Sequence, residues 1–198
     1  MTLYRTFLTS VCLALALAAC SQRQASAEFT ATDISGADFG RDFALTDTQG
    51  KTRHLADFRG KAVVVFFGYT QCPDICPTTL TRLAQTFKLL GDEAKRVQVV
   101  FITLDPERDT PQLLTKYATS FDPSFLSLYG DSATIARTAA EYKVFYQKQP
   151  GSRPDLYSID HSAGSYVYDP TGRLRLYVGQ ADTPQNIAAD LRLLLAGR

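Results

Sequence analysis

Cys72 and Cys76 are the side chains best equipped for chemistry. They stand in Gln71-Cys72-Pro73-Asp74-Ile75-Cys76-Pro77-Thr78, with three residues between them. A structural bridge closing so small a loop removes little unfolded-state entropy. The spacing therefore points to a redox pair or to a soft-metal site, where the thiolate is both nucleophile and ligand. A disulfide needs Cα atoms within about 7 Å, which a tight turn allows, so the two sulfurs can either bridge or converge on one ion. Pro73 and Pro77 stiffen both sides of the turn. Pro77 has no N–H, which is harmless only in a first helical turn or outside a helix. That predicts a helix from about Pro77 to Leu90 with Cys76 at its mouth, where the helix dipole favours a thiolate.

Cysteine usage across the chain sharpens this. Residues 1–19 carry Arg5 and an apolar run from Phe7 to Ala19, too short to be a comfortable membrane span. The run closes on Leu17-Ala18-Ala19-Cys20, which resembles a lipobox, so 1–19 reads as a lipoprotein signal peptide and Cys20 as the lipidated residue. An ordinary secretory signal cleaved near Ala25 or Ala27 is the alternative. Either reading exports the chain to a compartment that permits disulfides. Cys12 falls in the signal, leaving Cys72 and Cys76 for the folded domain. Residues 20–38 read as a flexible tether and 39–198 as the domain. The formal net charge of +1 gives no electrostatic case for nucleic acid.

The elements that must position the cysteines follow in order. Phe43 to Asp47 and Lys51 to Leu55 flank Gln49-Gly50 as a hairpin, with His54 an exposed residue on it. Ala62 to Phe67 has no polar alternation, as a central strand covered on both faces requires. Leu80, Leu83, Ala84, Phe87 and Leu90 recur at helical spacing, and Gly91 ends that helix. Val97 to Leu104 is a second buried strand. Thr110 caps a helix with Pro111 at its first position, running to about Ser120. Phe125 to Tyr129 reads as a short strand and Ser132 to Lys143 as a helix. Val144 to Ile159 shows no clean period and reads as an inserted hairpin or loop. Ser165 to Asp169 and Leu174 to Gly179 flank a turn at Pro170-Thr171-Gly172, and Thr183-Pro184 opens the last helix. The order is hairpin, β, α, β, α, β, α, loop, β-hairpin, α. It describes an α/β chain of thioredoxin-like fold with an N-terminal hairpin and an inserted hairpin or loop.

In such a fold the loop before Ser165 lies beside the cysteine turn, and that loop holds His161. Two thiolates and one imidazole suit Cu(I), and they also serve Cu(II), which tops the divalent affinity order. A structural zinc site wants four ligands, and the domain has no third cysteine. Met1 is the only methionine, which excludes thioether carriage. Ala163-Gly164 stands where thioredoxin-type oxidoreductases place a proline, which weakens a general oxidoreductase reading. Asp105, Asp160 and Asp74 are candidates to orient the site. Asp109, near the next helix start, is better suited to satisfying backbone N–H groups.

Three motifs together resemble the Sco (SenC, PrrC) copper-chaperone family. They are Phe66-Phe67-Gly68-Tyr69-Thr70-Gln71-Cys72-Pro73-Asp74-Ile75-Cys76-Pro77-Thr78, Asp105-Pro106-Glu107-Arg108-Asp109-Thr110-Pro111, and Asp160-His161. The likeness runs from about Phe43 to Leu194. It implies copper bound by Cys72, Cys76 and His161, with Asp105 on a family aspartate. It also implies a part in assembling the dinuclear copper (CuA) centre of cytochrome c oxidase, by delivering copper, reducing target cysteines, or both. The partners implied are the oxidase's copper-bearing subunit and other periplasmic copper carriers. The place implied is the bacterial cell envelope, on the periplasmic side, with the chain lipid-anchored to a membrane and monomeric. Many family members have histidine where this chain has Gln71, and many use a transmembrane helix where this one has a lipobox. A thiol–disulfide reductase or redox sensor using Cys72 and Cys76 is the competing reading, and neither it nor a peroxidase has a use for His161. The chain thus reads as a binding factor rather than a turnover enzyme.

Overall fold

In a computed structural model, the structure describes residues 28–153 and 156–198. The expected signal peptide and Cys20 lie outside the described residues. An eight-stranded sheet runs in the order β1 (Thr32–Asp33), β10 (Leu174–Val178), β9 (Ser165–Tyr168), β4 (Ala62–Gly68), β5 (Val97–Thr103), β6 (Leu126–Tyr129), β2 (Leu45–Asp47), β3 (Thr52–Arg53). At its centre β4 (Ala62–Gly68) pairs in parallel with β5 (Val97–Thr103), and β5 in parallel with β6 (Leu126–Tyr129). On the other side β9 (Ser165–Tyr168) lies antiparallel to β4, and β10 (Leu174–Val178) antiparallel to β9. The hairpin β2 (Leu45–Asp47) and β3 (Thr52–Arg53) closes the far edge.

Every residue of β4 is buried, and alternation sends successive side chains to opposite cores. Val64 and Phe66 pack with Val99 and Phe101 under α1 (Ile75–Leu90), α2 (Pro111–Thr119) and α4 (Pro184–Leu195). Val63, Val65 and Phe67 pack with Val100 and Ile102 against Phe43, Phe58 and α3 (Ser132–Glu141). The side chains of Thr110, Asp131 and Thr183 cap α2, α3 and α4, each contributing about 1 kcal/mol.

Two boundaries differ from the sequence expectation. Packing starts before residue 39: β1 (Thr32–Asp33) pairs with β10, and Ala31 is buried. The carboxylate of Asp190 on α4 causes this, accepting from Thr30 N, Thr30 Oγ1 and Ala31 N at 2.8–2.9 Å. The expected tether therefore includes residues that belong to the fold. In addition α1 begins at Ile75, not Pro77. Pro77 is its third residue, still in the first turn, where no intrahelical partner would await its N–H.

The segment read as an inserted hairpin or loop is a hairpin, β7 (Tyr146–Arg153) and β8 (Leu156–His161), forming its own two-stranded sheet. No helix among the described residues is long and apolar enough to cross a membrane.

Candidate metal centre

The end of β4, the first turn of α1 and the end of β8 meet at one place. Cys72, Cys76 and His161 each present a donor atom there, all within 4.8 Å of one another. Both cysteines are free; Cys72 is half-buried and Cys76 is fully buried. Cys76 Sγ stands 3.4 Å from His161 Nε2, and the Cys76 N–H donates to Cys72 Sγ at 3.4 Å.

His161 is set for ligation by its other nitrogen. Nδ1 lies 2.9 Å from the Ser162 carbonyl oxygen, which can only accept. The proton therefore sits on Nδ1, and the Nε2 lone pair faces the sulfurs. Asp160 does not provide this orientation. Alternation along β8 turns it to the opposite face, where it accepts from Gln149 Nε2 at 2.7 Å. Asp74 sits at the α1 N-cap position, exposed, with Oδ1 3.3 Å from the Thr78 hydroxyl.

The electrostatics reverse the expectation for the two sulfurs. Cys76 has already entered the helix, and its sulfur points into the core. Cys72, back in the loop, receives the N–H at the helix start. Interaction with the Cys76 thiol, aided by His161 and the N–H groups of Cys76 and Asp74, outweighs the cost of burial and holds the Cys72 thiol at about 3. Cys76 is pushed well above the thiol range, first by that same interaction and then by burial. The pair thus carries one thiolate, on Cys72.

Gly68 makes room for the buried sulfur. A Cβ on it would lie 2.7 Å from Cys76 Sγ and 2.9 Å from Phe101 Cε2.

Asp105, on the loop after β5, is fully buried. Its carboxylate accepts from Arg108 Nε at 2.5 Å and from the Tyr157 hydroxyl at 2.6 Å. Asp109 serves the cysteine turn rather than the next helix, accepting from Thr70 N, Thr70 Oγ1 and Thr103 Oγ1. Tyr69, Tyr157 and Ser162 had no assigned part in the sequence reading. A signal for Tyr157 was present: Tyr157, Ile159 and His161 occupy alternate positions, which puts them on one face of a strand. His54 stands apart from this centre, 3.4 Å from Asp42 on the exposed edge hairpin.

A family model described as SCO1/SenC matches residues 31–196. The Bos taurus protein named SCO2 homolog, mitochondrial, is 39% identical over 157 residues. That match covers 78% of this chain and 59% of the bovine protein, so the chain spans under two thirds of that relative's length. Among solved structures, Bradyrhizobium japonicum ScoI with copper bound is 40% identical with a TM-score of 0.72, over 79% of this chain and 98% of that one. Apo Sco1 from Thermus thermophilus is 39% identical with a TM-score of 0.76, over 86% and 99%. A thioredoxin-like sheet with two free cysteines and an oriented imidazole at one strand end is thus matched in sequence along nearly all its described length, and the chain belongs to the SCO1/SenC family.

Proposed function

We propose that this chain is a copper-binding assembly factor, carrying a copper ion as cargo on Cys72, Cys76 and His161. The observation that carries the reading is the meeting of two free thiols and one imidazole Nε2 within 4.8 Å. The donor chemistry fits: sulfur is soft, three donors satisfy Cu(I), and copper(II) also accepts imidazole and thiolate. Three donors at about 2.0–2.3 Å from a central ion stand about 3.5–4 Å apart, so the observed spacing needs only a small closure. The likeness to a copper-bound ScoI of 40% identity supports the same metal.

The recipient we propose is the copper-bearing subunit of cytochrome c oxidase, at its dinuclear CuA centre, with other periplasmic carriers as the source. We place the chain in a bacterial envelope, lipidated at Cys20 on the periplasmic side, acting as a monomer on transient partners. The family likeness and the lipobox-like Leu17-Ala18-Ala19-Cys20 support this.

A Cu(I) and Cu(II) titration of the reduced protein tests the site. One tight equivalent, weakened in His161→Ala and lost in a Cys72→Ser/Cys76→Ser double variant, is expected. Copper affinity unaltered by His161→Ala would show the ligand set to be wrong.

The depressed Cys72 thiol favours a second activity at the same residues. In it, Cys72 and Cys76 give two electrons to a target disulfide, becoming bridged as the target's two thiols form. That exchange survives His161→Ala, which separates it from metal carriage.

A further inference from the structure

His161 does not belong to the eight-stranded sheet that carries the cysteines. It is the last residue of β8, in the separate two-stranded sheet. Something must hold that hairpin against the body for Nε2 to reach the sulfurs. Tyr157, Ile159 and His161 share the inward face of β8. Ile159 is buried in the core, and its N–H donates to the Tyr69 hydroxyl at 3.1 Å.

Tyr157 makes the more elaborate connection. Its hydroxyl donates to Asp105 Oδ1 at 2.6 Å, and its carbonyl accepts from Arg108 Nη1 at 2.9 Å. The Arg108 guanidinium also lies 3.5 Å from the Tyr157 ring centroid while its Nε pairs with Asp105 Oδ2. One side chain and one carbonyl of β8 are thereby fastened to the Asp105–Asp109 loop, which follows β5. A strand rises about 3.3 Å per residue, so a fastening four residues before His161, with Ile159 between, fixes where the imidazole arrives. The more exposed Lys148–Glu107 pair, at 2.6 Å, ties β7, the other strand of the hairpin, to the same loop.

We propose that Tyr157 is a positioning residue for the metal site: its contacts with Asp105 and Arg108 set His161 over Cys72 and Cys76. The proposal rests on the reading that these three residues hold copper. It makes the Asp105 motif act on the centre through the strand that carries the histidine, not by contact with a ligand.

Tyr157→Phe is the sharpest test, because it keeps the ring under the guanidinium and removes only the hydroxyl. Cu(I) affinity should fall roughly tenfold, as for other groups that orient a ligand. The Cu(II) form should lose imidazole nitrogen coupling in its electron paramagnetic resonance spectrum. The Cys72–Cys76 bridge should still form and still be reducible, because that exchange needs no imidazole. Arg108→Lys keeps a positive charge beside Asp105 but loses the flat stack, and should weaken copper similarly. The decisive arm is Tyr157→Phe in a His161→Ala background, where the tyrosine change should have no further effect on copper. Persistence of the loss there, or wild-type affinity and nitrogen coupling in Tyr157→Phe alone, would overturn the proposal. Failure of the underlying copper reading is separately visible, as a wild-type protein whose affinity ignores His161→Ala.

Discussion

Gly68→Ala is the most exacting perturbation of this centre, because it adds one carbon where the structure has least room for it. The new Cβ would stand 2.7 Å from Cys76 Sγ, 2.9 Å from Phe101 Cε2 and 3.3 Å from Phe66 Cε1. Ordinary non-bonded contact is about 3.5–4.0 Å, so a shift of about 1 Å must be found. Cys76, Phe101 and Phe66 are all fully buried, and Cys76 is further fixed by its place in α1. Overpacking of this kind costs about 1–3 kcal/mol. In a chain of this size a cost of 2 kcal/mol lowers Tm by about 4–8 °C. The sulfur that moves is a donor 3.4 Å from His161 Nε2. A site displaced by about 1 Å should lose roughly tenfold or more in Cu(I) affinity. Calorimetry and competition against a chromophoric Cu(I) chelator read the two effects. Gly179→Ala is the control, since its Cβ meets only Asp182 Oδ2, at an ordinary 3.7 Å. A Gly68→Ala protein that melts and binds copper like the wild type would refute the claim that Cys76 is wedged.

Two further outcomes follow from the same geometry. The Cys72 thiol is depressed, so its thiolate persists as pH falls and is lost only on approach to about 3. Alkylation of Cys72 by iodoacetamide, followed by peptide mass spectrometry, should hold a nearly constant rate from about pH 8 to pH 5 while Cys76 stays unmodified in the native protein. A Cys72 rate climbing tenfold per pH unit between 6 and 8 would contradict this. Asp190→Ala removes the acceptor of three hydrogen bonds from Thr30 and Ala31. It should cost about 2–3 kcal/mol and abolish amide protection over residues 31–34 in deuterium exchange; intact protection there would mean that β1 is held by something else.

What could be read from the sequence was what local physics decides. The unbroken apolar run of β4, the Thr-Pro starts of α2 and α4, and the turn at Pro170-Thr171-Gly172 each announce themselves within a few residues. Once the β-α-β order is known, chain topology brings His161 towards the cysteine turn. Less legible were features that depend on distant partners. A two-residue strand such as β1 has no periodicity to detect, and its anchor Asp190 is 159 residues from Ala31. The carboxylate of Asp105 could be picked out, but not its use of Tyr157, 52 residues on. Which sulfur holds the charge turned on a two-residue difference in where α1 starts, within the ordinary uncertainty of a helix boundary.

The unequal burial of the sulfurs also bears on the entropy of capture and release. Cys76 is immobilised by helix and core, and His161 by Ser162 and the fastening of β8. Both have already lost most of their rotamer freedom before any ion arrives. Cys72 alone sits in a half-open turn, tied at Thr70 by Asp109 and stiffened by Pro73. Ordering the donors around an incoming ion therefore means stilling about one side chain, a cost on the order of 1 kcal/mol or less. On the proposed ligand set, letting go would run by the same route: the first bond to loosen would be the one whose sulfur can swing, and the other two donors would remain as a standing template for the next ion.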